Sequence, residues 1–219
     1  MAVHLLNELK ILEDQLLALS GTVENSLHAA IKALHEHDNA RARQIIANDI
    51  TVDREEVRLE EECLKVLALY QPVAGDLRRI IAILKINNEL ERIGDMAVVI
   101  SQCALELDQY IKFEIPPQLG TMAAVAQSMI TDSLNAFVRA DAKLARRVID
   151  NEALIKTSKR ELRALIAKKI EDGSPMPQGF LPLIEAAHAL ERVGARAANI
   201  SENIVYMLDG EIVRHQHGV

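Results

Sequence analysis

The sequence predicts an all-α fold made of two tandem three-helix bundles, six long antiparallel helices that arise from an internal repeat. Three observations carry this. Apolar residues recur at steps of three and four along six segments and nowhere alternate as a half-buried strand would. Leu90-Glu91-Arg92-Ile93-Gly94-Asp95-Met96-Ala97 returns as Leu190-Glu191-Arg192-Val193-Gly194-Ala195-Arg196-Ala197, and Ile100-Ser101 as Ile200-Ser201, at a constant offset of 100. Finally, 9 Gly and 6 Pro in 219 residues leave little turn material, and 3% aromatics without Trp leave Ala, Leu and Ile to fill the core.

The first helix runs from Ala2 to about Glu36, with Leu5, Leu9, Leu12, Leu16, Leu19, Val23, Leu27, Ile31 and Leu34 on one stripe. Ser20-Gly21 within it suggests a close helix crossing rather than a break. Asp38 is the expected N-cap of a second helix that reaches Tyr70 through Ile45, Val52, Leu59 and Leu67. Gln71-Pro72 ends it, because proline disfavours helical geometry at the residue before it. A third helix spans about Val73 to Ile111 and closes at Glu114-Ile115-Pro116-Pro117. The pattern then repeats over about Gln118 to Arg139, Asp141 to Glu171 and Phe180 to Leu208, with Asp172-Gly173-Ser174-Pro175 as the last turn. Asp38, Ala42, Ile45, Ile46, Asp49 and Val52 match Asp141, Ala145, Val148, Ile149, Glu152 and Ile155 at an offset of 103. The expected organisation is residues 1–115 for the first repeat, 116–209 for the second and 210–219 for a polar, frayed tail.

The net charge of −7 and pI near 5.5 argue against nucleic acid as a partner, since phosphate neutralisation needs a basic surface. Cys63 and Cys103 lack metal-type spacing and read as reduced, half-buried residues of a cytosolic protein. No uninterrupted apolar run approaches the ~18 residues of a membrane span, so the expectation is a soluble intracellular chain.

Chemistry concentrates in carboxylates. Glu91 and Asp95 are four apart and share a helix face; Asp49 and Asp53 do the same on the preceding helix. Both pairs lie about 20 residues from the Gln71-Pro72 turn, roughly 30 Å at 1.5 Å rise per residue, and so come level in an antiparallel hairpin. Asn88 sits one turn before Glu91. Gathered like charges need protons, arginines or a metal to compensate them. One reading is a solvated stripe with Arg54 and Arg92 as ion-pair partners; the other is an oxygen-ligand site for iron, manganese, magnesium or zinc. The absence of a Glu-x-x-His pair in this half speaks against a di-iron oxidase. In the second repeat the equivalents are Glu152, Lys156, Glu191 and Ala195, which predicts a decayed site where Lys156 compensates Glu152 and Glu191. His188, in the position of Asn88, reads as a core-edge histidine that could still supply a ligand beside the remnants Glu152 and Glu191.

Gln71-Pro72-Val73-Ala74-Gly75-Asp76-Leu77-Arg78, the Leu-Glu-Arg-Ile-Gly-Asp signature at 90–95, its relative at 190–195, and Ser201-Glu202-Asn203-Ile204-Val205-Tyr206 resemble the PhoU family of phosphate-uptake regulators. The resemblance implies a cytoplasmic protein of two three-helix bundles, often a homodimer. It also implies a divalent or iron metal ion or cluster held through Glu/Asp-x-x-x-Asp motifs. Here those motifs fall on Asp49, Asp53, Glu91 and Asp95; in the second repeat only Glu152 and Glu191 match, while Lys156, Ala195 and Arg196 depart. By the same resemblance the function is negative regulation of phosphate uptake and of the phosphate-starvation response. The implied partners are a phosphate ABC transporter ATPase and a sensor histidine kinase, with membrane association only through them, and no catalysis. The residues by themselves leave open a carboxylate metalloenzyme or a scaffold, although no nucleophile constellation or Gly-rich phosphate loop supports an enzyme.

Overall fold

The computed structural model describes residues 2–110 and 114–213. It contains six α-helices: α1 (Ala2–Glu36), α2 (Asn39–Tyr70), α3 (Ala74–Leu107), α4 (Pro117–Arg139), α5 (Ala142–Glu171) and α6 (Phe180–Asp209). A single 3₁₀ turn, Pro177–Gly179, precedes α6, and the described residues contain no strand. The helix boundaries follow local chemistry. Asp38 and Asp141 cap α2 and α5, accepting from the backbone N–H of Arg41 at 3.0 Å and Leu144 at 2.9 Å. Their own amides reach back to the carbonyls of Ala33 and Ala136, both at 2.9 Å, so the repeat extends to its turns. Gln71 closes α2 in the left-handed region at φ 47°.

Four sequence expectations change. α3 stops at Leu107, where Asp108 receives a hydrogen bond from the Asn39 side chain and the chain turns; the expected end at Ile111 lies outside the described residues. Gly21 is not at a helix crossing, because a Cβ there would meet nothing within 4 Å; Ser20 is buried and bonds back to the Leu16 carbonyl at 2.8 Å, leaving α1 unbroken. Cys63 and Cys103 are fully rather than half buried, and burial pushes both thiols up to about 12, so neither is a reactive thiolate at neutral pH. The start of the expected frayed tail, residues 210–213, packs on the fold, with Glu211 paired to Arg146 at 2.9 Å and Val213 buried; the rest, from Arg214 onward, lies outside the described residues.

Within each repeat the three helices pack on one another, and the most extensive packing between elements joins α3 to α6 across the repeats. The two bundles therefore lie side by side and share one continuous core, in which Leu16, Leu90, Ile93, Leu190 and Val193 are sealed from solvent. At about 1.5–3 kcal/mol for each fully buried aliphatic side chain, this seam fixes how the repeats sit together. A polar tie reinforces it: Arg196 pairs with Glu89 at 3.2 Å, and Asn199 donates to the same carboxylate at 3.2 Å. The Pro116-Pro117 segment is thus a covalent link beside a broad packed joint, not the sole connection.

Candidate functional site

Gly94 lets α2 and α3 approach where the carboxylates lie. A Cβ on it would come within 3.2 Å of Val52 Cγ1 and 3.7 Å of Asp49 Oδ1. Gly194 plays the same part between α6 and α5, where a Cβ would collide with the Ile155 side chain. Around Gly94 the sequence-predicted acids do come together. Asp49 is half-buried and its carboxyl is held above the ordinary range, first by burial, then by Asp53 and Asp95. Glu91 is raised by burial and then by Asp95, against the pull of Arg92, with smaller pushes from Glu56 and Asp53. These mutual repulsions place Asp49, Asp53, Glu91 and Asp95 in one electrostatic cluster.

The stripe reading required Arg54 and Arg92 as partners. Of the ion pairs among the described residues, none includes Asp49, Asp53, Glu91 or Asp95, and Arg92 instead donates to Asn88 Oδ1 at 3.3 Å. Asn88 is exposed and lines a groove of about 510 Å³ with Glu56, Glu60, Lys85 and Asn199. The donors are all oxygen, which suits a hard cation. Among the described residues no three His, Cys, Asp or Glu side chains stand close enough together to hold a metal ion as placed.

A fifth acid escaped the sequence reading. Glu56 receives Nδ2 of the buried Asn87 on both its carbonyl, at 2.9 Å, and its Oε1, at 3.3 Å, while Asn87 Oδ1 is sealed without a partner. Burial, then Glu60 and Asp53, raise the Glu56 carboxyl. The signal was available: the 103-residue offset places Glu56 opposite Lys159 in the second repeat.

That substitution reorganises the second repeat differently from expectation. Lys156 pairs only with Glu152, at 3.0 Å in the open. Glu191 is neutralised by Lys159, whose ammonium also lies 3.0 Å from His188 Nδ1, so the ring nitrogen accepts there. Lys156 was predicted because it replaces a carboxylate of the motif; Lys159, one turn further along, points into the α5–α6 seam, and only 13% of its side chain is exposed. Glu152, Glu191 and His188 are thereby committed to ammonium groups. Lys159→Met is expected to lower stability by about 1–2 kcal/mol, because Glu191 loses its counter-charge in a part-buried seam. Lys156→Met should cost less than ~1 kcal/mol, as exposed pairs do. Urea midpoints of the two variants decide the order; equal midpoints would put the neutralisation elsewhere.

Known proteins share the doubled architecture. A family model described as the PhoU domain matches the chain twice, over residues 16–104 and 119–204. The chain is 35% identical over 212 residues to the phosphate-specific transport system accessory protein PhoU of Serratia marcescens, covering 96% of this chain and 87% of that protein. It is 33% identical over 216 residues to the PhoU homolog of Aquifex aeolicus, covering 98% and 97%. Among solved structures it is similar to the phosphate transport system regulatory protein PhoU from Streptococcus pneumoniae, with TM-score 0.89, 30% identity and coverage of 95% and 99%.

Proposed function

Because this chain belongs to the PhoU family, we propose that it is a cytoplasmic regulator of phosphate uptake that works beside a phosphate ABC transporter. In this reading it restrains uptake and the phosphate-starvation response when phosphate is plentiful, coupling the transporter ATPase to a sensor histidine kinase as a homodimer. The observation that carries it is likeness over nearly the whole length and across both repeats. Among the described residues no helix is long and apolar enough to cross a membrane. Its connections are short, so such partners would meet helix faces.

The same proposal gives the first repeat a cation, divalent or iron, held by Asp49, Asp53, Glu91 and Asp95. The support is an all-oxygen donor set on two close helices, with the Asp49 and Glu91 carboxyls raised by burial and by neighbouring acids. A cation there would relieve the repulsion and tie α2 to α3; this is a structural and signalling role, with no reaction assigned to it.

The regulatory reading is tested by capture. Tagged full-length chain, incubated with phosphate-replete lysate, should retain the transporter ATPase and the kinase sensor domain. Retention of neither overturns it.

A further inference from the structure

A groove of about 510 Å³ opens where α2, α3 and α6 meet, so both repeats build its walls. Glu56 and Glu60 come from α2, Lys85 and Glu89 from α3, and Glu202 and Asn203 from α6, whereas Asp49, Asp53, Glu91 and Asp95 do not line it. Its volume lies in the range of clefts that enclose a ligand, about 300–1,000 Å³. Leu84 is the one apolar side chain among the described residues of its lining, so the groove suits a polar occupant. The fold does not require the acids, because the equivalents of Glu56, Glu60 and Glu89 in the second repeat are Lys159, Arg163 and Ala189.

Asn203 points to a donor from outside the chain. It is 6% exposed, and its side chain makes one hydrogen bond, from Nδ2 to the Asn199 carbonyl at 2.8 Å. No donor among the described residues reaches its Oδ1, a buried acceptor that is costly to leave unmet. The charges say what kind of donor fits. Glu89 is answered by Arg196 and Asn199, but none of the ion pairs among the described residues includes Glu56 or Glu60. Lys85, the one cation of the lining, lies 5.3 Å from the centre of the Tyr206 ring. A single inorganic ion does not suit this wall, since no three His, Cys, Asp or Glu side chains among the described residues stand close enough together to hold one as placed. Acceptors spread over three helices suit a cation whose N–H donors are spread as well, which Lys and Arg side chains along a peptide supply.

Membrane-spanning proteins concentrate Lys and Arg in their cytoplasmic loops. We propose that the α2–α3–α6 groove receives a Lys- and Arg-bearing cytoplasmic loop from the membrane-spanning part of the transporter, with Glu56 and Glu60 meeting its charge and Asn203 Oδ1 accepting one of its N–H groups. The inference rests on the transporter reading given above and adds to it a place and a recognition chemistry.

Titration of the full-length chain with a labelled Gly/Ser peptide rich in Lys and Arg reads the chemistry, with the glutamine counterpart of that peptide as the blank. Glu60→Lys, at an exposed position, should weaken binding about tenfold, while Glu161→Lys, the same charge change on the exposed face of α5, should leave it within about twofold. Unchanged affinity in Glu60→Lys, or an equal loss in Glu161→Lys, overturns the groove as the site. Spermine that binds more tightly than the peptide and displaces it would make this a polyamine site and overturn the protein partner. Crosslinking reads the source. Cys63 and Cys103 are 0% and 2% exposed and form an unreactive background, so Asn88→Cys places one reactive thiol on the groove wall. A thiol-to-amine crosslinker, applied in membranes from phosphate-replete cells, should join this variant to a membrane-spanning transporter subunit. Crosslinks confined to the ATPase or to the kinase overturn the loop as occupant. A chain that captures the transporter ATPase yet neither binds the peptide nor crosslinks overturns this inference alone; one that captures neither ATPase nor kinase overturns the transporter reading itself.

Discussion

Asp95→Ala is expected to lower the cation affinity of the chain at least tenfold, whereas Glu191→Ala should leave it at the wild-type value. Asp95 is one of four carboxylates that no internal cation neutralises, and it is the strongest charged neighbour acting on Glu91. Glu191 already spends its charge on Lys159, so its loss removes nothing an incoming cation could use. Elemental analysis after loading and dialysis reads both. Equal losses would show that the second repeat binds as well, and no cation in the wild type would return the acids to a solvated cluster. In chelator the two repeats should also differ in their response to pH. The folded chain holds protons on Asp49, Glu56 and Glu91 more tightly than the unfolded chain does, because burial and mutual repulsion raise all three. The penalty is therefore present above the folded-state pKa values and absent below the unfolded ones. Asp95→Ala, which removes one source of it, should be more stable than wild type at pH 7 by a few tenths of a kcal/mol for groups this exposed. That gain should vanish as the pH falls through the carboxylate range; a gain that persists at acid pH would place its origin in packing.

The periodicity of apolar residues located every helix, because a stripe at steps of three and four has few other ways to be buried. Leu9, Leu12, Leu16, Leu19, Val23, Leu27 and Leu34 of the predicted α1 stripe are buried, and so are Ala30 and Ala33. The repeat and the Asp38 and Asp141 caps were equally legible, being local patterns. What the sequence left open was how the repeats meet, since the α3–α6 seam depends on which of several apolar faces pair, and steps of three and four do not rank them. For the site, equal distances from a turn were enough to bring Asp49 and Asp53 beside Glu91 and Asp95, since an antiparallel hairpin fixes the level. Rotation about the helix was harder. Lys156 and Lys159 are three residues apart, so a difference of about 60° decides which one faces Glu191. Glu56 was missed for the same reason: it lies one turn beyond the motif, on the side where Asn87 holds it.

Gly94→Val is expected to cost about 2 kcal/mol of stability and to lower cation affinity at least tenfold, both from one displacement. A bare Cβ at Gly94 already lies 3.2 Å from Val52 Cγ1, and the two methyls beyond it have no room unless α2 retreats. Overpacking of this kind typically costs 1–3 kcal/mol, and the few tenths that valine gains over glycine in helix propensity do not offset it. The retreat carries Asp49 and Asp53 away from Glu91 and Asp95, so donors on facing helices no longer reach a common ion. The repeat supplies the control. Gly194→Val drives into the Ile155 side chain, with Met129 Sδ 3.5 Å from the same Cβ position, and should cost a similar amount. It parts α5 from α6, where Lys159 already answers Glu191, and should leave the cation content unchanged. Urea unfolding compares the stabilities, and elemental analysis of the still-folded variants at low denaturant compares the sites. If both variants are destabilised and both keep the wild-type cation content, then the α2–α3 spacing set by Gly94 serves packing alone, and the four carboxylates do not act as one ligand set.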